Sequence, residues 1–408
     1  MLVARNVEQH TAILIFRTSR RREAVAGMVG IVYPLACQPP LATSHTATRA
    51  GGTHARSTGT GRTTLRTHGR VSGRKQKSTN TFAMAGRNTG GRSTTSSYPS
   101  ACSARFEREV NVVERCWEVQ PAGSTPKAGL VLIHGANWHS GWFGELGDLL
   151  SSPEYSIRVS APDLVAHGLS DDPVPGWRSY SLDFANHAVE TGAAISRARA
   201  ALPQGCPLFL LGESMGGLCA LQHLVSGAGT GDGDSTANTD NNVDGIILCG
   251  ALLQVAPGVL PPKAVFTVLK AVGWLMPTMG VPGAAIGGET FDTAFGDPAV
   301  GPVAREDPLV CEMATLRLGQ MLGMLKAMDV VKREAPRKLQ AKSVLMIHYK
   351  GDQRTLYEDC RRFVDELPIE DKVCVPLQGA SHQIFQDTPE NSRKHIEMVA
   401  RFITERAQ

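Results

Sequence analysis

The 408-residue chain is poor in aromatic side chains, at 6%, and it lacks the patterns that would assign it to several common classes. Its nine cysteines (Cys37, Cys102, Cys116, Cys206, Cys219, Cys249, Cys311, Cys360 and Cys374) include no C-x-x-C pair and no zinc-like spacing, so neither a disulfide scaffold nor a zinc module is indicated. Buried thiols in a reducing compartment fit this usage. No stretch of 18 residues is both apolar and uncharged. The longest candidate, Ala264 to Ala285, is broken by Lys270, Pro277 and Pro282, so no spanning helix is predicted. Acidic residues are missing altogether between Ala42 and Ala104. The first 105 residues hold 16 Lys or Arg against two acids, and the rest of the chain holds 26 against 36. The basic charge therefore belongs to a Ser/Thr/Gly-rich arm and not to a face of a folded body, which argues against a nucleic-acid partner.

That arm, residues 1–105, is expected to be disordered, because its composition cannot bury enough apolar surface to offset the entropy of ordering its backbone. An Arg- and Ser-rich, acid-free N-terminus is the composition of an organelle transit peptide. Arg20-Arg21-Arg22 and the apolar stretch from Ala24 to Cys37 stand ahead of it like a signal-type region. A two-part plastid or other organelle address is one reading. The alternative is a cytoplasmic protein whose native start is Met84.

From residue 106 the pattern alternates. Half-buried alternation over Glu109 to Arg115 suggests an antiparallel edge strand, and Ala128 to Ile133 is a short, wholly apolar run of the kind covered on both faces. Similar runs recur at Ser156 to Ser160, Pro207 to Leu211, Val243 to Cys249, Ser343 to His348 and Lys372 to Leu377. Helical patterns over Ser181 to Leu202, Met215 to Ser226, Leu356 to Glu366 and Pro389 to Arg406 separate them. Strand and helix in alternation mean an α/β fold with a mostly parallel central sheet flanked by helices. Asp232 to Asn242 has the look of a calcium loop, but Ala237 stands where Gly is needed and Val243 where Glu is needed, so a solvated loop is expected.

The segment with the clearest chemistry is Leu210-Leu211-Gly212-Glu213-Ser214-Met215-Gly216-Gly217. It sets G-x-S-x-G between an apolar strand and a helix-forming run, so Ser214 is expected at the apex of a sharp strand-to-helix turn. Its hydroxyl would face the positive end of the helix opening at Met215. A serine needs a base and an orienting carboxylate, which in this architecture follow in the order acid, then histidine. Asp352 lies just past the run ending at His348, and His382 lies on the small-residue loop Gly379 to Gln383 before the last helix. His348 and His134 are read as strand-end structural residues. Asp359, Asp365, Glu366 and His395 are read as solvated helix faces. Oxyanion donors are expected from the N–H groups of Met215 and of Ala136, which follows His134-Gly135.

Together, His134-Gly135, His139-Ser140, Ala166-His167-Gly168-Leu169-Ser170, Gly212 to Gly217, Asp352 and His382 resemble the α/β-hydrolase superfamily, in its monoacylglycerol lipase and lysophospholipase-like branch, the serine aminopeptidase S33 type. The resemblance spans about residues 106 to 405. It departs from the branch at Ala166, where the branch commonly has Gly in G-H-G-x-S, and at Asn137-Trp138 and Trp142-Phe143, which flank His139-Ser140. It implies a Ser214, Asp352, His382 triad, an oxyanion hole at Ala136 and Met215, and a serine esterase or lipase acting on a small acyl ester, a lipid above all, without metal or organic cofactor. Two other functions stay open: an S33-type aminopeptidase, and a non-catalytic small-molecule-binding protein on the same scaffold.

The expected organisation is a hydrolase core at 106–255 and 343–408, with a helical cap at 256–342 inserted before the strand that leads to Asp352. Apolar stretches at Val265 to Met276 and Met313 to Met328 suit a cap. Leu252, Leu253, Val265, Leu269, Trp274, Leu275, Met276, Met279, Met321, Met324 and Leu325 are expected to face inward, as an acyl pocket or as the cap's own packing. By resemblance, such a cap also makes transient contact with a membrane surface, and Trp274 beside Leu275 and Met276 would serve that contact. Oligomeric state leaves no mark in the sequence.

Overall fold

The computed structural model describes residues 93–99, 110–181, 183–226, 243–255, 261–281, 294–311 and 316–407. The targeting segment, the Met84 start and the Asp232 to Asn242 loop lie outside these residues.

Eight strands build one sheet: β1 (Ser93–Pro99), β2 (Asn111–Trp117), β3 (Ala128–Ile133), β4 (Ile157–Pro162), β5 (Leu208–Glu213), β6 (Gly245–Cys249), β7 (Ser343–Tyr349) and β8 (Asp371–Leu377). Their spatial order is β1-β2-β4-β3-β5-β6-β7-β8. β2 runs antiparallel to both its neighbours, and from β4 to β8 every pairing is parallel. This is the α/β-hydrolase fold.

The apolar runs are continuous because the central strands are covered on both faces. Along β5, Leu208 and Leu210 enter one apolar layer while Phe209 and Leu211 enter the other, as the two-residue period of a strand requires. The first layer is closed by α2 (Ala185–Ala200), α3 (Met215–Ser226) and α7 (Tyr357–Glu366), and the second by α1 (Gly144–Leu150) and α8 (Pro389–Arg406).

Two expectations about the N-terminal part are corrected. The expectation of disorder does not hold at Ser93–Pro99, where β1 pairs with the whole of β2, from Ser93 opposite Trp117 to Pro99 opposite Asn111. A Ser/Thr-rich segment buries little, yet it satisfies an open strand edge through its backbone. The Tyr98 ring adds a contact with the Arg197 guanidinium, 4.8 Å from its centroid. In consequence β2 is an interior strand, and β1 is the edge among the described residues.

Between β6 and β7 lie α4 (Lys263–Leu275), α5 (Val300–Glu306) and α6 (Leu318–Lys338). The insertion is not a separate layer up to residue 342. Met321, Met324, Met328, Val331 and Ala335 of α6 are buried in the same cluster as Leu218 and Leu221 of α3, so α6 is also the crossover helix of the sheet. The expected inward stripe is only partly right. Leu253, Met321 and Met324 are buried, and Leu252, Leu269, Met279 and Leu325 partly so. By contrast Val265, Trp274, Leu275 and Met276 are exposed, Trp274 at 83%. The reason is that α4 packs through a single line, Phe266, Leu269, Val272 and Gly273, leaving its other sides with nothing described to bury against.

Candidate active site

Ser214 occupies the turn between β5 and α3 with φ +51°, a conformation costly for a residue carrying a Cβ. Flanking residues make the turn feasible. A Cβ on Gly212 would lie 2.5 Å from the Gly217 backbone, and one on Gly216 would lie 2.0 Å from the Ile133 carbonyl oxygen, so both positions exclude larger residues. The turn is held by Ser214 N–H donating to the Cys249 carbonyl at 2.9 Å, and by Leu252 N–H donating to the Ser214 carbonyl at 2.9 Å.

The loops after β7 and β8 bring two distant residues to this turn. Ser214 Oγ is 2.9 Å from His382 Nε2, and His382 Nδ1 is 2.8 Å from Asp352 Oδ2. Asp352 is buried, and burial alone would raise its pKa. The His382 ring, the His348 and His382 hydrogen bonds and the Arg354 N–H outweigh that and hold it far below the usual carboxylate range. An ionised Asp352 only accepts hydrogen bonds. Nδ1 of His382 therefore carries the proton, and its Nε2 lone pair faces the serine hydroxyl.

Several residues that sequence reasoning missed, or read as purely structural, surround this chain. Thr355 donates its Oγ1–H to Asp352 Oδ2 at 2.8 Å and its N–H to Oδ1 at 3.2 Å, while His348 Nε2 stands 3.3 Å from Oδ2. Glu213, beside Ser214, is fully buried. Ile384 N–H donates to its Oε1 at 3.2 Å, and the Gln383 amide nitrogen, turned towards it, reaches its two oxygens at 3.1 and 2.8 Å. Burial pushes its carboxyl up to about 8 against the pull of the Ile384 N–H. An acid at the end of an otherwise apolar strand was the available signal. His395, expected on a solvated face, is buried instead, because its Nδ1–H donates to the Ile384 carbonyl at 2.7 Å and supports the same loop. Asp359 and Asp365 do face solvent, paired with Arg362 and Arg361.

The loop after β3 passes beside Ser214. A Cβ on Gly135 would sit 3.3 Å from Ser214 Cβ and 3.9 Å from its Oγ, so the backbone just before Ala136 passes close to Ser214, and Met215 is the first residue of α3. His134 holds the loop as expected. Its Nδ1–H donates to the Gly135 carbonyl at 2.8 Å, and its Nε2 accepts from Leu164 N–H at 3.0 Å. Asp163 Oδ1 accepts from the N–H and the hydroxyl of Ser140 at 2.7 and 2.6 Å. Burial drives His134 down to about 4 and His187 to about 3, so both are neutral near pH 7. Among the described residues, no cluster of His, Cys, Asp or Glu could hold a metal ion.

Comparison with known proteins places the chain. The family model described as serine aminopeptidase, S33 matches residues 124–389. Monoglyceride lipase of Rattus norvegicus is 24% identical over 292 residues, covering 72% of this chain and 86% of that protein. Among solved structures, the Paleococcus ferrophilus monoacylglycerol lipase superposes with TM-score 0.56 at 23% identity, over 72% of this chain and 99% of that one. A soluble variant of the Saccharomyces cerevisiae monoglyceride lipase, in complex with a substrate analog, gives TM-score 0.59 at 18% identity, over 73% and 93%. With a family match across most of the β-sheet core and a fold shared along nearly the full length of these lipases, the chain belongs to the serine aminopeptidase S33 family, on the monoacylglycerol lipase-like branch of the α/β-hydrolases.

Proposed function

We propose that the protein is a lipase-like serine hydrolase that cleaves monoacylglycerols or similar lipid esters through an acyl-enzyme on Ser214. It is a carboxylic ester hydrolase. The observation that carries the mechanism is the continuous chain Ser214 Oγ, His382 Nε2, His382 Nδ1, Asp352 Oδ2, with links of 2.9 and 2.8 Å. Ser214 Oγ attacks the ester carbonyl carbon as its proton passes to His382 Nε2. The carbonyl oxygen becomes an oxyanion, stabilised by the N–H groups of Ala136 and Met215. When the C–O bond to the alcohol breaks, His382 returns the proton to the leaving oxygen. Water then repeats the sequence on the acyl-serine, and the carboxylic acid leaves. Asp352 stays ionised throughout and holds the imidazolium that forms in each half.

Ser214→Ala is expected to lower hydrolysis of a p-nitrophenyl acyl ester by about 10³-fold or more. A loss under tenfold in purified protein would contradict the mechanism. A panel of monoacylglycerols, diacylglycerols, lysophospholipids and short esters, run beside amino-acid anilides, separates the lipase from an aminopeptidase. Fluorophosphonate labelling that needs Ser214 separates either from a non-catalytic binder.

The exposed row Val265, Val268, Trp274, Leu275 and Met276 on and just beyond α4 supports a second element of this reading, in which the insertion rests transiently on a lipid surface to collect substrate. The basic arm completes the proposal as an organelle address, and N-terminal sequencing of the native protein distinguishes a processed arm from a start at Met84.

A further inference from the structure

The loop that carries Ala136 is tied on one side to the sheet, through Asp163 and Leu164, and on the other side to the insertion. The second set of ties converges on one residue. Asp307, buried just after α5, accepts from the Trp142 indole N–H at 3.0 Å and lies 3.0 Å from His139 Nε2, both through its Oδ2. The tautomer of His139 follows from its other nitrogen. Gly141 N–H donates to Nδ1 at 3.1 Å, so Nδ1 is an acceptor and the ring proton resides on Nε2, aimed at Asp307. The remaining oxygen, Oδ1, accepts Leu309 N–H at 2.8 Å, which fixes the carboxylate plane. Four residues further on, Cys311 N–H donates to the carbonyl of Asn137 at 3.0 Å. Asn137 is the residue after Ala136, and it sits at φ +63°, a conformation that persists only where surrounding contacts over-determine it. Trp142 also stacks on Trp138, with ring centroids 4.3 Å apart, so displacing one indole displaces the other side of the same loop.

We infer that Asp307 is the positioning residue of the oxyanion hole: it holds the 134–143 loop through His139 and Trp142, so that the Ala136 N–H points at the developing oxyanion only while segment 307–311 of the insertion is docked. This rests on the ester-hydrolase reading and deepens it, because it makes the insertion part of the catalytic step as well as of substrate capture. An oxyanion donor contributes when it is aimed before the charge develops. Asp307 touches neither the nucleophile nor the imidazole. Its loss is therefore expected in the rate of the chemical step, with acyl binding left unchanged.

Asp307→Asn keeps size and one acceptor but removes the charge that two N–H donors share. Loss of a whole oxyanion donor costs about 10² to 10³ in kcat, so a donor left in place but poorly aimed is expected to cost about tenfold or more. The readout is kcat per site titrated with a fluorophosphonate, which discards misfolded molecules, together with KM for the same ester. Expected is a fall in kcat with KM within about twofold, and a matching fall in the fluorophosphonate labelling rate. Trp142→Phe, which keeps the ring packing and deletes one donor, is expected to lower kcat severalfold by itself and to cost nothing further in the Asp307→Asn background, because both act through one carboxylate. Unchanged kcat in either single variant, an effect confined to KM, or fully additive losses would overturn the assignment. Ser214→Ala in the same assay keeps the two ideas apart. If it remains active, the hydrolase mechanism itself fails; if it is inert while Asp307→Asn turns over normally, only the role of Asp307 fails.

Discussion

Helices α3 and α4 are both rich in Val, Leu, Ala and Gly, yet they meet opposite ends. In α3 only Ser226 is exposed, whereas in α4 only Gly273 is buried. The difference lies in what surrounds them. α3 is wedged between the sheet and helices α2 and α6, and the Ser214 turn hangs on its first residue. α4 packs on α6, against which Gly273 fits so closely that a Cβ there would meet Leu322 at 2.4 Å and Leu318 at 2.9 Å. An apolar helix whose packing positions Ser214 is under a geometric constraint, and one that meets the protein along a single line keeps its other faces for something else.

The comparison predicts unequal costs for similar truncations. Leu218→Ala in α3 removes a fully buried side chain and is expected to destabilise by about 3 kcal/mol, the range of cavity-forming substitutions. Val268→Ala in α4, at 61% exposure, is expected to stay within about 0.5 kcal/mol. Urea unfolding of both variants checks this, and equal losses would mean that α4 packs against something in solution that its exposure does not reveal.

How much of this was readable beforehand follows the same division. Ser214, Asp352 and His382 were legible because each chemical demand leaves a local mark: small residues around a sharp turn, an acid just past an apolar strand, a histidine on a small-residue loop. The bounds of β3, α3 and α8 were legible for the same reason, since both faces of an element read out in consecutive residues. Asp307 left no mark. Its partners His139 and Trp142 are more than 160 positions away, and nothing in its own neighbourhood distinguishes it from a solvated acid. The sequence left Trp274 open between an inward stripe and a membrane-facing contact, because an apolar helix face looks alike whether it meets a core, a pocket or a lipid surface. β1 was missed because composition reports the capacity to bury side chains, not the availability of an open backbone edge.

A smaller effect tests the buried acid beside Ser214. Glu213 is raised from its ordinary 4.5 to about 8 by burial. Between about pH 5 and 8 the folded protein thus binds a proton that the unfolded chain has released. Stability therefore falls as pH rises through that window and levels off above it. Glu213→Gln, which keeps the shape of the protonated acid, is expected to remove this slope, so that Tm declines by a few °C less between pH 5 and 9 than in the parent protein. Identical slopes in the two proteins would mean that the Gln383 amide already keeps the carboxylate ionised.

The smallest expected change in stability belongs to the outer face of α4, and there the comparison is sharpest. Trp274→Asp replaces a side chain that is 83% exposed, so urea unfolding and kcat on a short water-soluble p-nitrophenyl ester should match the parent. If that face rests on lipid, burying one large aromatic there contributes about 1.5 to 3 kcal/mol. Partitioning onto phosphatidylcholine vesicles should then fall by about tenfold or more, and the apparent KM for a monoacylglycerol presented in those vesicles should rise with it. Unchanged co-sedimentation would leave the α4 surface without a lipid role. A fall in activity on the soluble ester would instead mean that α4 acts on the site through α6, and that the two helices are less independent than their packing implies.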